Sequence, residues 1–463
     1  MSEQDDRQTS TPQCPTTDDP EAWKTYWEKM GQSWRKEPEI DAKRQEQLIQ
    51  CRTIIPNIEK GIYPFKGMKL SRADVEWLLA TLDYGRGPID WDDKCQRNRK
   101  GLDLRGADLS QKDFSGLPLA CMQGGLTPKV NERSDEKQRN MATVRMKKAD
   151  LHGAQLQGAD LGFAQLQGAS LREARLQKAS LFGALLQEAN LEWAEMQEAN
   201  LEWAEMQKAN LHGAKLQKAS LGGAKLREAT LHSAQLQGVF LSIAQLDGVD
   251  LRGATLADET YGPPRLADVR WGEINLAVVD WTSVKMLGDE HLARKTKDIG
   301  DYRKAVRANR QLAVVLRDQG LNEEADRFAY RAQKLQRVVL RRQSFRPQVS
   351  LWERLRTFSA YTLSLVLDLL AGYGYQPAKT LFWYLLVIGG FAIAYAIFGH
   401  LPPFPDALVF SFMSFHGRGF FPSLSNETNL HNSLVILAAA EAVIGLLIEI
   451  SLIATFTQRY FGR

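Results

Sequence analysis

A glycine-flanked arginine, Arg418, lies between the two most apolar segments of the chain, in the stretch DALVFSFMSFHGRGFFP at Asp406–Pro422. Two acidic residues, Glu441 and Glu449, lie inside the second of those segments, eight positions apart with Gly445 between them. Charged side chains are costly inside a bilayer and are functional candidates by default. Eight helical residues place the two carboxylates about 80° apart around one helix, so we expect at least one of them to approach a cavity.

These residues lie in and between two predicted transmembrane helices. Leu381–Phe398 has 18 residues without a charge, and Ser433–Phe456 has 24 residues with only the two glutamates. At 1.5 Å per residue they reach about 27 and 36 Å, enough to cross a hydrocarbon core about 30 Å thick. Lys and Arg flank the outer ends of this pair, whereas the 34-residue connection Gly399–Asn432 contains only Arg418. The positive-inside rule therefore predicts that both termini are cytoplasmic.

The stretch Asp406–Pro422 resembles the pore helix, filter and exit of the two-transmembrane potassium-channel family, whose consensus is ALYFSxxTxTTVGYGDxxP. The run LAAAEAVIGLLIEISLIATFTQRYF similarly resembles the inner helix of that family, with Gly445 on its hinge glycine. The resemblance implies a homotetramer in the lipid bilayer of a bacterial inner membrane, a re-entrant pore helix, and permeation of inorganic ions. Matched residue by residue, it places Ala407, Leu408, Phe410 and Ser411 on the pore helix, Ser414 on a filter threonine, Gly417 and Gly419 on the paired glycines, and Pro422 on the exit proline.

The same resemblance implies the candidate site. The selectivity filter would consist of Ser414, Phe415, His416, Gly417, Arg418 and Gly419, and the pore-lining or gating residues would be Glu441, Gly445 and Glu449. Three departures fall at filter positions, since His416 replaces a valine, Arg418 the tyrosine and Phe420 the aspartate. In the family, the tyrosine and aspartate brace backbone carbonyls contributed by four chains. The resemblance therefore does not carry potassium selectivity over to this chain.

The charges of the site leave three functions open. If Arg418 faces the lumen, four arginines surround the narrowest point and favour anions. The tyrosine that Arg418 replaces points away from the lumen in the family, so a buried Arg418–Glu441 pair would instead leave Glu449 to line a weakly selective cation path. We favour the weakly cation-selective channel over the anion channel. A membrane-tethered scaffold that does not conduct is the alternative from another class.

A five-residue period occupies the middle of the chain. From Met146 to Met286 an apolar residue recurs at every fifth position, and Ala lies two residues before most of them; the positions run from Leu151 to Leu256 and continue at Tyr261, Leu266, Trp271, Leu276 and Trp281. Neither the helical nor the strand period fits, whereas a path with four short sides does. The pattern resembles the A(D/N)LXX repeat of the pentapeptide-repeat family. This resemblance implies a right-handed quadrilateral β-helix of about seven coils, about 34 Å long.

An earlier segment keeps the same spacing in another phase. Leu104, Leu109 and Phe114 predict a capping coil, followed by an insertion at residues 116–143. Some pentapeptide-repeat proteins resemble DNA and bind topoisomerases, which requires a strongly acidic rod. Met146–Met286 has 17 acidic and 14 basic residues, a net charge of −3, and the whole chain has a formal charge of +4. These charges argue against DNA mimicry and predict no nucleic-acid partner.

The sequence thus predicts a multidomain chain. Its parts are a disordered tail (1–20), a helical and irregular capping region (21–100), the β-helix (101–286), a helical hairpin (287–345), an interfacial helix (346–378) and the two-transmembrane pore domain (379–463). A short third span at Phe358–Ala371 is left open, although Asp368 and its length argue against it. The four widely spaced cysteines predict free thiols. No nucleophile–base pair or metal cluster is evident, so we expect neither an enzyme nor a cofactor.

Overall fold

The structure is a computed structural model that describes residues 14–16, 19–57, 60–127, 130, 135–345, 350–398, 403–417 and 433–460. The chain divides into two compact units. The first comprises Met1–Leu292 and Asp318–Gly320, and the second comprises Ala293–Arg317 and Leu321–Arg463. Most of the predicted tail, namely residues 1–13 and 17–18, lies outside the described residues.

Helices α1 (Pro20–Lys29), α2 (Ala42–Arg52) and α3 (Arg72–Ala80) precede the repeats, and a single helical turn at Leu82–Gly85 follows α3. A capping box between Ser71 and Asp74 starts α3, because each side chain accepts a hydrogen bond from the backbone amide of the other. Further along α3, the buried carboxylate of Glu76 accepts hydrogen bonds from the backbone amides of Lys36 and Glu37. These bonds, together with those that Arg44 of α2 donates to the Asp74 carboxylate, fix α3 against the chain before it. This region also joins the repeats, since Lys69 forms a parallel bridge with Asp108.

Coils of twenty residues stack in the first unit. From Arg145 to Gln235 each bridge residue pairs in parallel with the residue 20 positions later, for example Asp150 with Ser170 and Ser170 with Asn190. Four such positions, five residues apart, occur in each coil, so the coil has the four sides that the period predicts. Each side contributes one bridge pair, and no multi-residue strand occurs in the part of the chain that the structure describes.

Leucine and alanine fill the interior of these coils, as the period predicts. Leu211 and Ala214 are fully buried, and so are almost all residues at the equivalent positions. Many corners require a left-handed backbone, with φ of 59° at Trp193 and 58° at Lys208. That conformation is uncommon for non-glycine residues. Ladder hydrogen bonds offset its cost at the corners, for example the bond of 2.8 Å from the amide of Trp193 to the carbonyl of His212.

The insertion ahead of the regular coils is shorter than the predicted 116–143. Pro118 and Gln123 continue the ladder by pairing with Gln155 and Asp160, 37 positions later rather than 20. The 17 extra residues therefore follow Gln123, and they include the short helix α4 (Glu136–Ala142). The glycines after Phe114 suggested a loop, but some lie in tight packing. A Cβ at Gly125 would lie 2.2 Å from the amide nitrogen of Gly162.

One residue predicted to face the interior lies outside. Tyr261 is 39% exposed. The ladder there pairs Phe240 with Arg265, 25 positions later, so five extra residues form a loop in this coil. The sequence could not reveal this loop, because an insertion of five residues leaves a period of five unchanged.

The second unit is helical. Helix α5 (Gly288–Thr296) contains the boundary between the units, and α6 (Ile299–Asp318) and α7 (Asn322–Ser344) form the hairpin expected from the sequence. The buried core of this hairpin contains Ala293, Tyr302, Ala305, Val306, Leu335 and Val339. Helix α8 (Leu351–Ala371) packs against α7 and ends at Gly372, whose left-handed φ of 53° caps it. It is shorter than the predicted interfacial segment 346–378.

Three apolar helices end the described chain: α9 (Pro377–Phe398), α10 (Leu408–Phe415) and α11 (Ser433–Tyr460), with a π-helical turn at Pro403–Ala407 before α10. Among the described residues, two segments are long and apolar enough to cross a membrane, Pro377–Phe398 and Val435–Thr457. Both fall on helices that the sequence predicts to be transmembrane. Helix α8 does not meet this criterion, so the third span at Phe358–Ala371 is not supported.

Candidate functional site in the apolar helices

The short helix α10 packs against both α9 and α11. Ile388 of α9, Phe415 of α10 and Ile448 of α11 form the buried core between them. Gly445 brings α11 close to α10, since a Cβ at that position would lie 2.1 Å from the carbonyl oxygen of Phe415. The glycine predicted to be a hinge therefore lies at a tight helix contact in this structure.

Glu441 holds the three helices together through its carboxylate. It is fully buried, and the Tyr395 hydroxyl of α9 donates a hydrogen bond of 2.7 Å to its Oε2. The Ser411 hydroxyl of α10 lies 2.5 Å from its Oε1. Both oxygens thus have a hydroxyl partner, which a carboxylate needs when it is removed from solvent. Glu441 therefore faces the interior of the packed helices.

Glu449 forms a second polar contact two turns further along α11. Its Oε1 lies 3.3 Å from Nε2 of His416, which follows the last residue of α10. The same Nε2 lies 3.4 Å from the Tyr384 hydroxyl of α9, and Nδ1 lies 2.8 Å from the carbonyl oxygen of Phe412. The side chains of His416 and Glu449 are 29% and 30% exposed, so this contact is reachable, unlike Glu441.

The remaining predicted filter residues are partly described. Ser414 and Phe415 are buried, and Gly417 has a left-handed φ of 69° directly after the end of α10. Arg418 and Gly419 lie outside the described residues, so the Arg418–Glu441 pair stays a prediction. The structure brings Ser411, Glu441, His416 and Glu449 onto one packed set of helices.

Sequence reasoning missed the two tyrosines that complete these contacts. Tyr384 and Tyr395 are polar groups on the otherwise apolar helix α9, 11 positions and therefore about three helical turns apart. Three turns place both on the same face of the helix. That spacing, matched to the two carboxylates of α11, is the signal that could have found them.

A third polar cluster links α7, α8 and α9 around Asp368. Its carboxylate accepts hydrogen bonds from the Tyr330 hydroxyl at 2.9 Å and from the Arg337 guanidinium at 2.6 Å. Lys379 of α9 lies 4.0 Å from the same carboxylate. Burial alone would raise the pKa of Asp368, but the Arg337 and Tyr330 bonds outweigh it and the pKa is lowered. Asp368 therefore ties the helical hairpin to the first apolar helix.

No group of three or more His, Cys, Asp or Glu residues that could hold a metal occurs among the residues that the structure describes. The four cysteines, Cys14, Cys51, Cys95 and Cys121, are free thiols.

Comparison with known proteins identifies the repeats. Residues 149–258 match the family model for pentapeptide repeats in five overlapping segments, 149–187, 174–213, 184–223, 204–242 and 224–258. No curated protein matches the chain. The chain is thus a pentapeptide-repeat protein with two helices that could, by length and composition, cross a membrane.

Several solved structures are similar to the repeat region. QnrB1, a plasmid-mediated fluoroquinolone resistance protein, is 21% identical over 40% of this chain and 82% of its own, with a TM-score of 0.24. HetL from Nostoc sp. strain PCC 7120, involved in heterocyst differentiation regulation, is 24% identical over 37% of this chain and 90% of its own, with a TM-score of 0.14. A pentapeptide repeat protein from the Arabidopsis thaliana thylakoid lumen is 25% identical over 23% of this chain and 70% of its own, with a TM-score of 0.18. TM-scores this low carry no functional implication.

Proposed function

We propose that the chain is one subunit of a homotetrameric ion channel, weakly selective for cations, in a bacterial inner membrane. Helices α9 and α11 span the bilayer, and α10 is a re-entrant pore helix between them. The pentapeptide-repeat solenoid is a cytoplasmic regulatory domain, and both termini are cytoplasmic. The proposed partners are three further copies of the chain, the lipid bilayer and the permeant inorganic ions, with no nucleic acid, cofactor or enzymatic activity.

The observation that carries this proposal is the position of α10. It has eight residues, too few to cross a bilayer, yet it is apolar and packs between two helices of spanning length. A short helix within a membrane is tolerated only where its ends are buried in protein or face a water-filled cavity. The contacts of Ser411 and His416 with α11 fix the orientation of α10, as a pore helix requires. One subunit cannot enclose a pore by itself, so several copies around one axis are needed.

The charge pattern of the solenoid supports a regulatory role over DNA mimicry. Opposite charges pair between successive coils, with Lys215 Nζ 2.9 Å from Glu195 Oε1 and Lys225 Nζ 2.7 Å from Glu205 Oε1. Such pairing removes the uniform negative field that an imitation of DNA needs. Topoisomerase binding is therefore not proposed for this chain.

Ion flux through liposomes containing the purified full-length protein tests the proposal. We expect cation flux above that of empty liposomes, and under a KCl gradient a reversal potential shifted modestly toward the potassium potential. A shift toward the chloride potential that Arg418→Ala abolishes would favour the anion channel instead. Absence of flux under all conditions would favour the non-conducting scaffold.

Native mass in detergent tests the assembly separately. We expect a particle of four chains. A particle that is clearly monomeric or dimeric would contradict the pore, whatever the flux measurement shows.

A further inference from the structure

The hydrogen bonds of His416 fix which of its nitrogens carries a proton. Nδ1 lies 2.8 Å from the carbonyl oxygen of Phe412, and a carbonyl only accepts hydrogen bonds, so Nδ1 carries hydrogen. Nε2 faces the Glu449 carboxylate at 3.3 Å, which also accepts when ionised. Hydrogen bonds to both groups at once would need hydrogen on both nitrogens, which is the imidazolium form.

The position of His416 at the end of α10 adds a second feature. It is the C-cap of α10, where the negative end of the helix dipole lies. A protonated ring there would face both the helix end and the Glu449 carboxylate. Glu449 is then part of a neutral pair, and its negative charge is not free to attract cations.

Tyr384 offers the neutral form of the ring an alternative partner. Its hydroxyl lies 3.4 Å from Nε2, and a hydroxyl can donate as well as accept. When Nε2 loses its proton, it becomes an acceptor and can accept a hydrogen bond from the Tyr384 hydroxyl. Glu449 then loses its positive partner. The groups facing the imidazole are therefore Tyr384 from α9 and Glu449 from α11, with no other charged group from α9, α10 or α11 within the described contacts.

We propose that His416, Glu449 and Tyr384 form a proton-operated charge selector in the pore, in which the proton on His416 decides whether Glu449 is paired or free. The proposal rests on the proposed channel function. With His416 charged, its pair with Glu449 has no net charge in any subunit. With His416 neutral, each contributes one negative charge, so four carboxylates favour cations in the tetramer.

The buried carboxylate of Glu441 serves a different purpose. Its partners are two neutral hydroxyls, and it is fully buried. It lacks the imidazole that would let a proton change its pairing. We therefore assign the selector to Glu449 and a positioning role to Glu441.

Histidine ring NMR on the full-length protein in lipid nanodiscs tests the pairing without requiring conduction. The His416 signal is assigned by its loss in His416→Gln, and its titration midpoint is then followed in two variants. Glu449→Gln removes the group that stabilises the charged ring and is expected to lower the midpoint by about one pH unit. Tyr384→Phe removes the donor to the neutral ring and is expected to raise it. Opposite shifts are a result that a purely structural role would not produce, and two unshifted midpoints would overturn the proposal.

Flux at varied pH tests the consequence for ions. With equal pH on both sides of the liposome, cation flux is expected to rise as pH increases through the His416 midpoint. Glu449→Gln should abolish this rise, and His416→Gln should make flux independent of pH. A rise that persists in Glu449→Gln would contradict the selector.

Matched substitutions on the solenoid surface provide the control. His152 and Glu188 are exposed residues of the repeats, and His152→Gln and Glu188→Gln should leave both the NMR midpoint and the pH profile of flux unchanged. If no variant conducts at any pH, the proposed channel function and the selector role both fail. Opposite NMR shifts would in that case still establish the three-residue contact.

Discussion

At the scale of single residues, the polar groups within the apolar helices form two contacts, about two helical turns apart along α11. Glu441 pairs with a tyrosine of α9 and a serine of α10, and Glu449 pairs with a histidine that the C-terminus of α10 presents. The sequence indicated that both carboxylates matter, because ionisable residues are rare in apolar spans. It could not assign their partners, since those depend on how three separate helices are rotated against one another.

Replacement of Glu441 should distinguish loss of charge from loss of hydrogen bonding. Glu441→Gln keeps polar atoms against the hydroxyls of Tyr395 and Ser411, so we expect a small loss of stability. Glu441→Leu leaves the buried Tyr395 hydroxyl without this partner, whereas Ser411 keeps its 2.8 Å contact with the Ile388 carbonyl. The cost of the unsatisfied hydroxyl is about 1–3 kcal/mol. Thermal unfolding of the purified full-length protein in detergent measures the difference.

Glu449→Leu is the matched control for that experiment. Its carboxylate is 30% exposed and should cost less to replace than that of Glu441. Equal losses in Glu441→Gln and Glu441→Leu would show that hydrogen bonding to this carboxylate does not hold the helices together.

At the scale of elements, the contact between α10 and α11 depends on the absence of a side chain at Gly445. Gly445→Ala would place a methyl group 2.1 Å from the carbonyl oxygen of Phe415, so the two helices must separate. We expect a destabilisation of about 1–3 kcal/mol, typical of overpacking, together with reduced flux. Gly389→Ala and Gly390→Ala on α9 are the controls, because a Cβ there meets nothing within 4 Å. Unchanged melting and flux in Gly445→Ala would mean that the helices do not approach this closely.

The capping helices should respond to acid through Asp113. Burial alone would raise its pKa, but hydrogen bonds from Lys36 and Ser115 and the nearby Arg72 lower it from 3.8 to about 2. A carboxyl whose folded-state pKa is depressed stabilises the fold above its unfolded value and loses that effect as pH falls. The contribution of Asp113 is therefore present above about pH 4 and lost toward about pH 2.

Thermal melting between those pH values checks this prediction. Asp113→Asn should melt lower than the unmodified protein at neutral pH and lose less stability in acid. Asp92→Asn changes an exposed carboxyl in the region before the repeats and should alter neither. If Asp113→Asn lost as much stability in acid as the unmodified protein, Asp113 would not be responsible for the acid response.

The helices and the regular coils could be predicted from the sequence, whereas the insertions between coils could not. Apolar length predicted α9 and α11, and the period of five predicted the interior Leu and Ala ladder, because both signals repeat over many residues. The predicted bounds of the insertion and the predicted interior position of Tyr261 were wrong, because each depends on which residue of the neighbouring coil a residue pairs with. The five-residue period does not reveal whether a residue pairs with a partner 20, 25 or 37 positions away.

At the scale of the whole molecule, the first compact unit should fold without the apolar helices. Each coil buries its own ladder and contacts only its neighbours, and Asp318–Gly320 belongs to this unit. Gln319 shows why, since its amide side chain accepts a hydrogen bond from the Leu276 amide and donates one to the Ile274 carbonyl.

A fragment of residues 1–320 tests this independence. We expect it to be soluble and to unfold cooperatively by circular dichroism. Ending the fragment at residue 292 should lower its melting temperature, because the last coil then lacks Gln319. An insoluble or unfolded 1–320 fragment would show that the solenoid needs the second unit.

The five-residue loop that contains Tyr261 has a consequence for how such proteins are delimited. The recognisable repeats end at residue 258, immediately before that loop, yet the ladder continues through Arg265 and Arg270. Hydrogen bonding between coils tolerates extra residues at a corner. A family model built on a uniform repeat, in contrast, no longer matches the sequence after such an insertion. Solenoids of this kind will thus extend beyond their detectable ends, and truncations cut at those ends will expose an unpaired edge prone to aggregation.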